Sequence, residues 1–398
     1  MREHIEHILA AFGALALALF ISYFNTGTNA VTVSTVAPGA TLIPVPETST
    51  TFTPKFEPLL IIPTSTVELL TPQVRATTTH TVARTKKPAV VPKTPATKAQ
   101  EKVVPFATST PEVVIPPHAE PTPLQTLSLS VVNILCTSHS STLRGISGSG
   151  VIIDSRGIIL TVAHVAQAEL LEETLGSGVM SCVIRTGNPA HTAYKAKVIY
   201  FPQTWLEKNS TTLISSHPIG SGENDFALLA ITGTATTKLL PSSFSAVPLT
   251  STTAQPGDEV SVGSYGAQYL TSTEVRNSLA PTLVTGTVVK QYSFDGSDAD
   301  ALSVLAGAAA QEGSSGGAVV NSSGYLIGLI TASEQSGEQA SRHLISITPS
   351  YLRRMYLEAT GKSFDTSFDD NSPAALASSY TSTAMELGNY LAKAIGLK

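Results

Sequence analysis

From Leu127 onward the chain breaks into short β-branched and apolar runs, each closed off by Gly, Asn or Pro. The first series reads LSVVNILCT, GSGVIID, GIILTVAHV, SCVIRT, YKAKVIYF and DFALLAIT; after PSSFSAVPLT come DEVSVGSY, TLVTGTVVKQYSF, GAVVNSSGYLIGLITAS and HLISIT. Many short strands at turn-punctuated spacing argue for an all-β barrel or sandwich. Two series of about six strands each, divided near residues 232–248, predict two antiparallel six-stranded barrels packed together, at 126–232 and 248–349. Helical periodicity is confined to QAELLEETL after His164, to SYLRRMYLEA and to AMELGNYLAKAIGL. A helix is therefore expected at 350–358, and an amphipathic C-terminal one from Met385 to Leu397, able to dock on a partner or cover its own domain.

The chain ahead of these runs cannot build a core. Sixteen of the 25 prolines lie between Pro38 and Pro123, and proline removes a backbone donor while fixing its own dihedral. Residues 25–125, rich in Thr, Pro, Val and Ala, are expected to form a disordered stalk with a reach of about 50–60 Å as a flexible coil. Before it, Ile8 to Phe24 gives 17 uncharged, mostly apolar residues, at the short end of what crosses a bilayer core of roughly 30 Å. Thr28-Asn29-Ala30 is a poor cleavage site, Glu3 and Glu6 offset Arg2, and no Lys or Arg follows before Lys55. A single-pass membrane anchor is therefore preferred to a cleaved signal peptide. Either would export the rest. The expected segments are 1–24 anchor, 25–125 linker, 126–362 folded domain and 363–398 tail.

A net charge of -5 gives no electrostatic case for nucleic acid. Two cysteines without a C-x-x-C pair indicate neither a zinc site nor a disulfide scaffold. His139, His191, His217 and His343 lack ligand spacing, so no metal or organic cofactor is expected.

Three stretches carry chemistry when taken together. QEGSSGGAVV packs three glycines and two serines into Gly313–Gly317, a cluster that alone reads as a turn. In TVAHV, His164 follows a strand and precedes a helical turn. In ENDFALLAI, Asp225 opens an apolar strand; Asp154 and Asp258 read as ordinary turn residues. A serine hydroxyl is a weak nucleophile and must lose its proton as it attacks. An imidazole can take that proton if a carboxylate fixes its tautomer. The glycines let backbone N–H groups, here those of Gly313 and Ser315, converge on a developing oxyanion.

The blocks GSGVIIDSRGIILTVAHV, NDFALLAI and GSSGGAVVNSSGYLIGLITA resemble the trypsin-like serine proteases, and within them the HtrA/Deg-type branch, over residues 127–360. The resemblance implies a two-barrel fold with its active site in the cleft. His164 (general base, then acid) and Asp225 would come from the first barrel and Ser315 (nucleophile) from the second, while Ser314 falls on a variable position. It places Ala309, six residues before the nucleophile, at the base of the P1 pocket, with Thr331 in the wall formed by Ile330–Ser333. With no acid there, a small or medium apolar P1 side chain is expected. Cys136 and Cys182 would lie on adjoining strands, as a disulfide if exported or as two buried small apolar residues; both readings stay open. Ala318 replaces a usual proline, residues 206–222 lengthen the approach to Asp225, and about 40 residues after the last domain helix leave too little for a PDZ module. The expected function is a membrane-tethered extracytoplasmic serine endopeptidase acting on protein or peptide substrates. The alternative is an inactive protease-like binding or adhesion module on a stalk. HtrA-type relatives often form trimers, but no oligomer contact is recognisable in this sequence.

Overall fold

The computed structural model describes residues 121–397, apart from 216–221, 297 and 335–336, together with two-residue backbone strands at Thr50–Thr51 and Ile61–Ile62. The expected anchor, and the stalk but for those two strands and its last residues, lie outside the described residues. Among the described residues no helix is long and apolar enough to cross a membrane.

The first series of runs becomes β1 (Val131–Ser138), β2 (Gly145–Asp154), β3 (Ile158–Thr161), β4 (Met180–Thr186), β5 (His191–Tyr200) and β6 (Ala227–Thr234). Their antiparallel order is β2-β1-β4-β5-β6-β3, and pairing of β2 with β3 closes the barrel. The second series becomes β7 (Glu259–Ser264), β8 (Thr282–Ser293), β9 (Ala301–Leu305), β10 (Ala318–Val320), β11 (Leu326–Ser333) and β12 (His343–Ile347). Strand β9 is formed by ALSVL, which lies in none of the runs read from the sequence, and one run, GAVVNSSGYLIGLITAS, gives both β10 and β11. Here the order is β8-β9-β12-β11-β10-β7, closed by β8 against β7. Closure leaves neither set with a free lateral edge. The two six-stranded barrels are those that the spacing predicts.

Four helices depart from the expectation: two short ones, Gln203–Asn209 and Ser272–Asn277, lie where no helical periodicity is read, and two others start earlier than expected or replace linker. Helix α1 (Pro123–Ser130) occupies ground expected to be linker and then strand from Leu127. Thr122 and Gln125 form a capping box, with the Thr122 hydroxyl accepting from the Gln125 N–H at 3.3 Å and the Gln125 side chain accepting from the Thr122 N–H at 2.8 Å. Pro123 sits at N1, where its missing N–H is no loss. That local signal outweighs the β-branched run that follows it. The tail helix likewise starts earlier than Met385, running over Pro373–Ala394 from a Ser372 cap. Its first turns are Ala, Ser and Thr, which carry little periodicity but, in Ala, strong helix propensity.

Four further helices decorate the barrels: α2 (Ala163–Leu175), α3 (Gln203–Asn209), α4 (Ser272–Asn277) and α5 (Pro349–Thr360), with the tail helix as α6. Helix α6 covers its own first barrel. Ala384, Leu387 and Leu391 are buried, and the Tyr380 hydroxyl donates to the Phe201 carbonyl at 3.1 Å while accepting from its N–H at 2.9 Å. Helix α6 meets α2 so closely that a Cβ on Gly388 would lie 1.9 Å from the Thr174 hydroxyl. Helix α2 is in turn pinned to the barrel below. Glu172 accepts from the Cys182 N–H at 2.8 Å, and Glu173 from the Val198 N–H at 2.7 Å. Cys136 and Cys182 face each other across β1 and β4 and are bonded, with S–S 2.05 Å.

The barrels are joined by buried polar groups. Arg185, only 2% exposed, donates to Asn133 and Ala190 in its own barrel and to the Val275 and Arg276 carbonyls of α4 at 2.8 Å. Burial pushes its pKa down, and each buried acceptor left without it would cost about 1–3 kcal/mol. Tyr265, at the end of β7, donates to the Gly187 carbonyl at 3.0 Å across the same seam.

Candidate active site

Strand β3 ends at Thr161 and α2 begins at Ala163, so His164 stands in the first helical turn at the seam between barrels. Asp225 follows a turn in which Asn224 adopts φ 57, a left-handed conformation that asparagine tolerates better than most residues. The Asn224 N–H donates to the Tyr351 hydroxyl of α5 at 2.9 Å, so a helix from the far end of the domain steadies this turn. Asp225 is fully buried. Its Oδ2 lies 2.7 Å from His164 Nδ1, and its Oδ1 accepts from the His164 backbone N–H at 3.0 Å. This pairing favours the imidazole tautomer with its proton on Nδ1, which leaves the lone pair at Nε2.

The longer approach to Asp225 backs this helix. Trp205, Leu206 and Leu213 are buried. The Thr212 hydroxyl donates to Gln167 at 3.4 Å, while the Gln167 amide donates to the His164 carbonyl at 2.7 Å. Over its described part the insertion is packed structure; 216–221 lie outside the described residues.

The loop from Ala306 to Gly317 presents the serines. Ser314 is fully buried; its hydroxyl donates to the Ala309 carbonyl at 2.6 Å and accepts from Ser264 at 3.1 Å. Ser315 is partly exposed. Its hydroxyl rests on the Thr331 carbonyl at 3.4 Å, a long contact, and not on the imidazole. Gly313 and Gly316 both have φ 88, open to glycine without strain. A Cβ at Gly316 would also fall 2.0 Å from the Ser149 carbonyl oxygen.

Ser149, on β2, ties this loop to the first barrel. Its N–H donates to the Ser315 carbonyl at 2.8 Å. Its hydroxyl donates to the Gly313 carbonyl and accepts from the Tyr265 N–H, both at 2.8 Å. Its carbonyl takes the Thr161 hydroxyl at 2.7 Å. The serine backbone is thus two hydrogen bonds from Thr161, three residues before His164. Sequence reasoning missed Ser149, because in GSGSGV it reads as one more small strand residue.

The Glu312 carbonyl accepts from the Ala267 N–H at 2.7 Å. Since C=O and N–H of a trans peptide point oppositely, the Gly313 N–H is turned away from the Ala267 loop. Among the described residues neither the Gly313 nor the Ser315 N–H donates to a protein acceptor, which is uncommon for amides in a packed loop. Two undonated amides next to the accessible hydroxyl suit a group that gains negative charge.

Ala309 and Thr331 are both fully buried. Ala309 packs in the second barrel's core with Val262, Ile330 and Leu344, and the Thr331 hydroxyl donates to the Ile345 carbonyl at 3.3 Å. A groove of about 460 Å³ between Glu259, Gly286, Leu305 and Gly307 borders none of the expected site residues. One trio of metal-ligating side chains groups Cys136, Glu169 and Cys182, but its two sulfurs are bonded to each other.

Residues 148–329 match the family described as trypsin-like peptidase domain. Similar solved structures include the active form of the Rv3671c protease from M. tuberculosis, at 17% identity and TM-score 0.38, covering 68% of this chain and 96% of that one. Deg5 is similar at 20% identity and TM-score 0.38, covering 59% and 91%. The serine endoprotease from Yersinia pestis follows at 19% and 0.38, covering 60% and 66%. No curated protein matches the chain. With residues 148–329 inside that family and enclosed by two barrels, the chain carries a trypsin-like peptidase domain and is a serine endopeptidase.

Proposed function

We propose that this peptidase is of HtrA/Deg type, is exported and tethered by its N-terminal apolar segment, and cleaves extracytoplasmic proteins through Ser315, His164 and Asp225. The observation that carries the reading is the double grip of the buried Asp225 carboxylate on His164, at 2.7 and 3.0 Å, across the seam from the accessible serine of the glycine loop. The Cys136–Cys182 bond favours an oxidising compartment.

On this reading a substrate carbonyl displaces the Ser315 hydroxyl from the Thr331 carbonyl. The hydroxyl proton passes to His164 Nε2 as Oγ bonds the carbonyl carbon. The charge left on oxygen is taken by the Gly313 and Ser315 N–H groups, where losing one donor typically costs about 3–4 kcal/mol of transition-state stabilisation. The imidazolium, held by Asp225, returns its proton to the departing amine as the C–N bond breaks. Water then enters by the same route, its proton going to His164 and its oxygen to the acyl carbon; the acyl carbon–Oγ bond breaks as His164 returns that proton to Ser315 Oγ, and the carboxylic acid leaves. Ala309 favours a small or medium apolar P1 side chain; preferential cleavage after Arg in a peptide library would defeat that assignment.

A fluorophosphonate probe on the purified full-length chain tests the core of this. Labelling that persists in Ser314→Ala and vanishes in Ser315→Ala is expected. A folded wild-type chain that neither labels nor cleaves peptides would overturn it in favour of a binding module.

A further inference from the structure

Arg342 lies just ahead of β12 and is only 8% exposed. Among the described residues its guanidinium reaches neutral groups alone: Nη1 donates to the Gln268 side chain at 3.2 Å and the Tyr269 hydroxyl at 2.9 Å, and Nη2 to the Gly337 carbonyl at 3.4 Å. Its Nε is buried without a partner. A buried charge that meets no carboxylate weakens a fold, so stability alone does not account for it.

What it joins is specific. Gln268 and Tyr269 belong to the loop between β7 and α4, and Gly337 to the loop between β11 and β12. The Arg342 carbonyl accepts from the Ala306 and Gly307 N–H groups at 3.4 and 3.3 Å, where the serine loop begins. Ala267 directly precedes Gln268, and its N–H is the group that holds the Glu312 carbonyl at 2.7 Å. The path from the guanidinium to the Glu312–Gly313 peptide is therefore two hydrogen bonds and one or two residues of chain. A planar fork holds fixed directions to its three acceptors, whereas an ammonium offers three rotatable donors on a flexible stem.

We propose that Arg342 is a positioning residue for peptide hydrolysis, drawing these three loops together so that the Gly313 amide stays turned toward the forming oxyanion. This rests on Ser315 being the nucleophile. It predicts a defect in turnover and not in the number of competent sites.

The test uses the full chain, with sites counted by fluorophosphonate labelling taken to completion and kcat and KM then measured per counted site on a peptide the wild type cleaves. Removing a whole oxyanion donor lowers kcat by about 10²–10³, so displacing one through Arg342→Ala or Arg342→Lys should lower it roughly 10- to 100-fold with KM little changed. Added guanidinium should restore R342A and leave R342K and the wild type unmoved. If R342A fails to fold, the milder pair Gln268→Ala with Tyr269→Phe decides: lower kcat per site supports the proposal, and unchanged kcat overturns it. Fewer counted sites with unchanged kcat per site would show a purely structural role. A wild type that neither labels nor cleaves would bring down the peptidase reading and this inference with it.

Discussion

The halves of the active site are held in opposite ways. In the first barrel a fully buried carboxylate grips His164 through both oxygens, and helices α2 and α6 with residues 203–214 pack behind it. In the second barrel Ser315 and its neighbouring amides sit on a loop fixed by peptide groups, by one hydroxyl from the other barrel and, at its start, by the Arg342 carbonyl. Side-chain pairing inside a packed core confines the imidazole to one geometry. Backbone held by distributed single bonds leaves the surroundings of Ser315 more open to adjustment. The first half should therefore fail all at once when altered, and the second by degrees.

The largest effect expected from breaking this contrast is in the first half. Asp225→Asn keeps the shape but can present a donor to Nδ1, favouring the wrong tautomer, and should lower kcat by about 10⁴. Steady-state peptide hydrolysis measures it; a loss below tenfold would contradict the role given to Asp225. Next comes Ser149→Ala, which strips one hydroxyl from the Gly313 carbonyl and the Tyr265 N–H. The two buried groups left unpaired cost about 1–3 kcal/mol each in the loop's stability, expected to show as a graded fall in kcat/KM with the folded state intact by circular dichroism. An all-or-none collapse would erase the distinction between the halves.

The smallest effect sharpens the picture of the first half's rigidity. Burial, then the charges of Glu172 and Glu173, hold the Glu169 carboxyl of α2 well above its ordinary pKa. A raised folded pKa means that its contribution to stability is complete below the unfolded carboxylate value and is lost as pH climbs towards the folded one. Glu169→Gln removes that dependence. Its melting temperature should exceed the wild type's by a few degrees at pH 8, with the gap closing towards pH 4, about 2–4 °C for each kcal/mol in a domain of this size. Parallel melting curves across that range would show that Glu169 is not strained by burial.

The barrels were legible because their signal is periodic and local: β-branched runs stop at turn residues, and each run became one strand or, in GAVVNSSGYLIGLITAS, two. The short ALSVL strand of Ala301–Leu305 escaped the reading. His164, Asp225 and Ser315 were legible because each sits in a short stereotyped context, and a resemblance could gather the three. Helix α1 was missed although Thr122, Pro123 and Gln125 carry its cap, since the run after it reads as strand. The early start of α6 was missed because packing, through Ala384 and Gly388, supplies what its composition does not advertise. Ser149 and Arg342 left no trace in the sequence. Their importance comes from partners more than 60 residues away, and only the fold establishes that proximity.

Gly388 gives the tail helix an influence that its plain composition conceals. With no side chain there, α6 rests directly on Thr174 at the far end of α2, about 15 Å along a rigid rod from His164 at 1.5 Å per residue. One extra methyl at this contact would fall 1.9 Å from the Thr174 hydroxyl and 2.8 Å from the Leu170 carbonyl oxygen, so the two helices could not keep their present packing. A contact 10 residues from Lys398 therefore bears directly on the helix whose first turn carries His164.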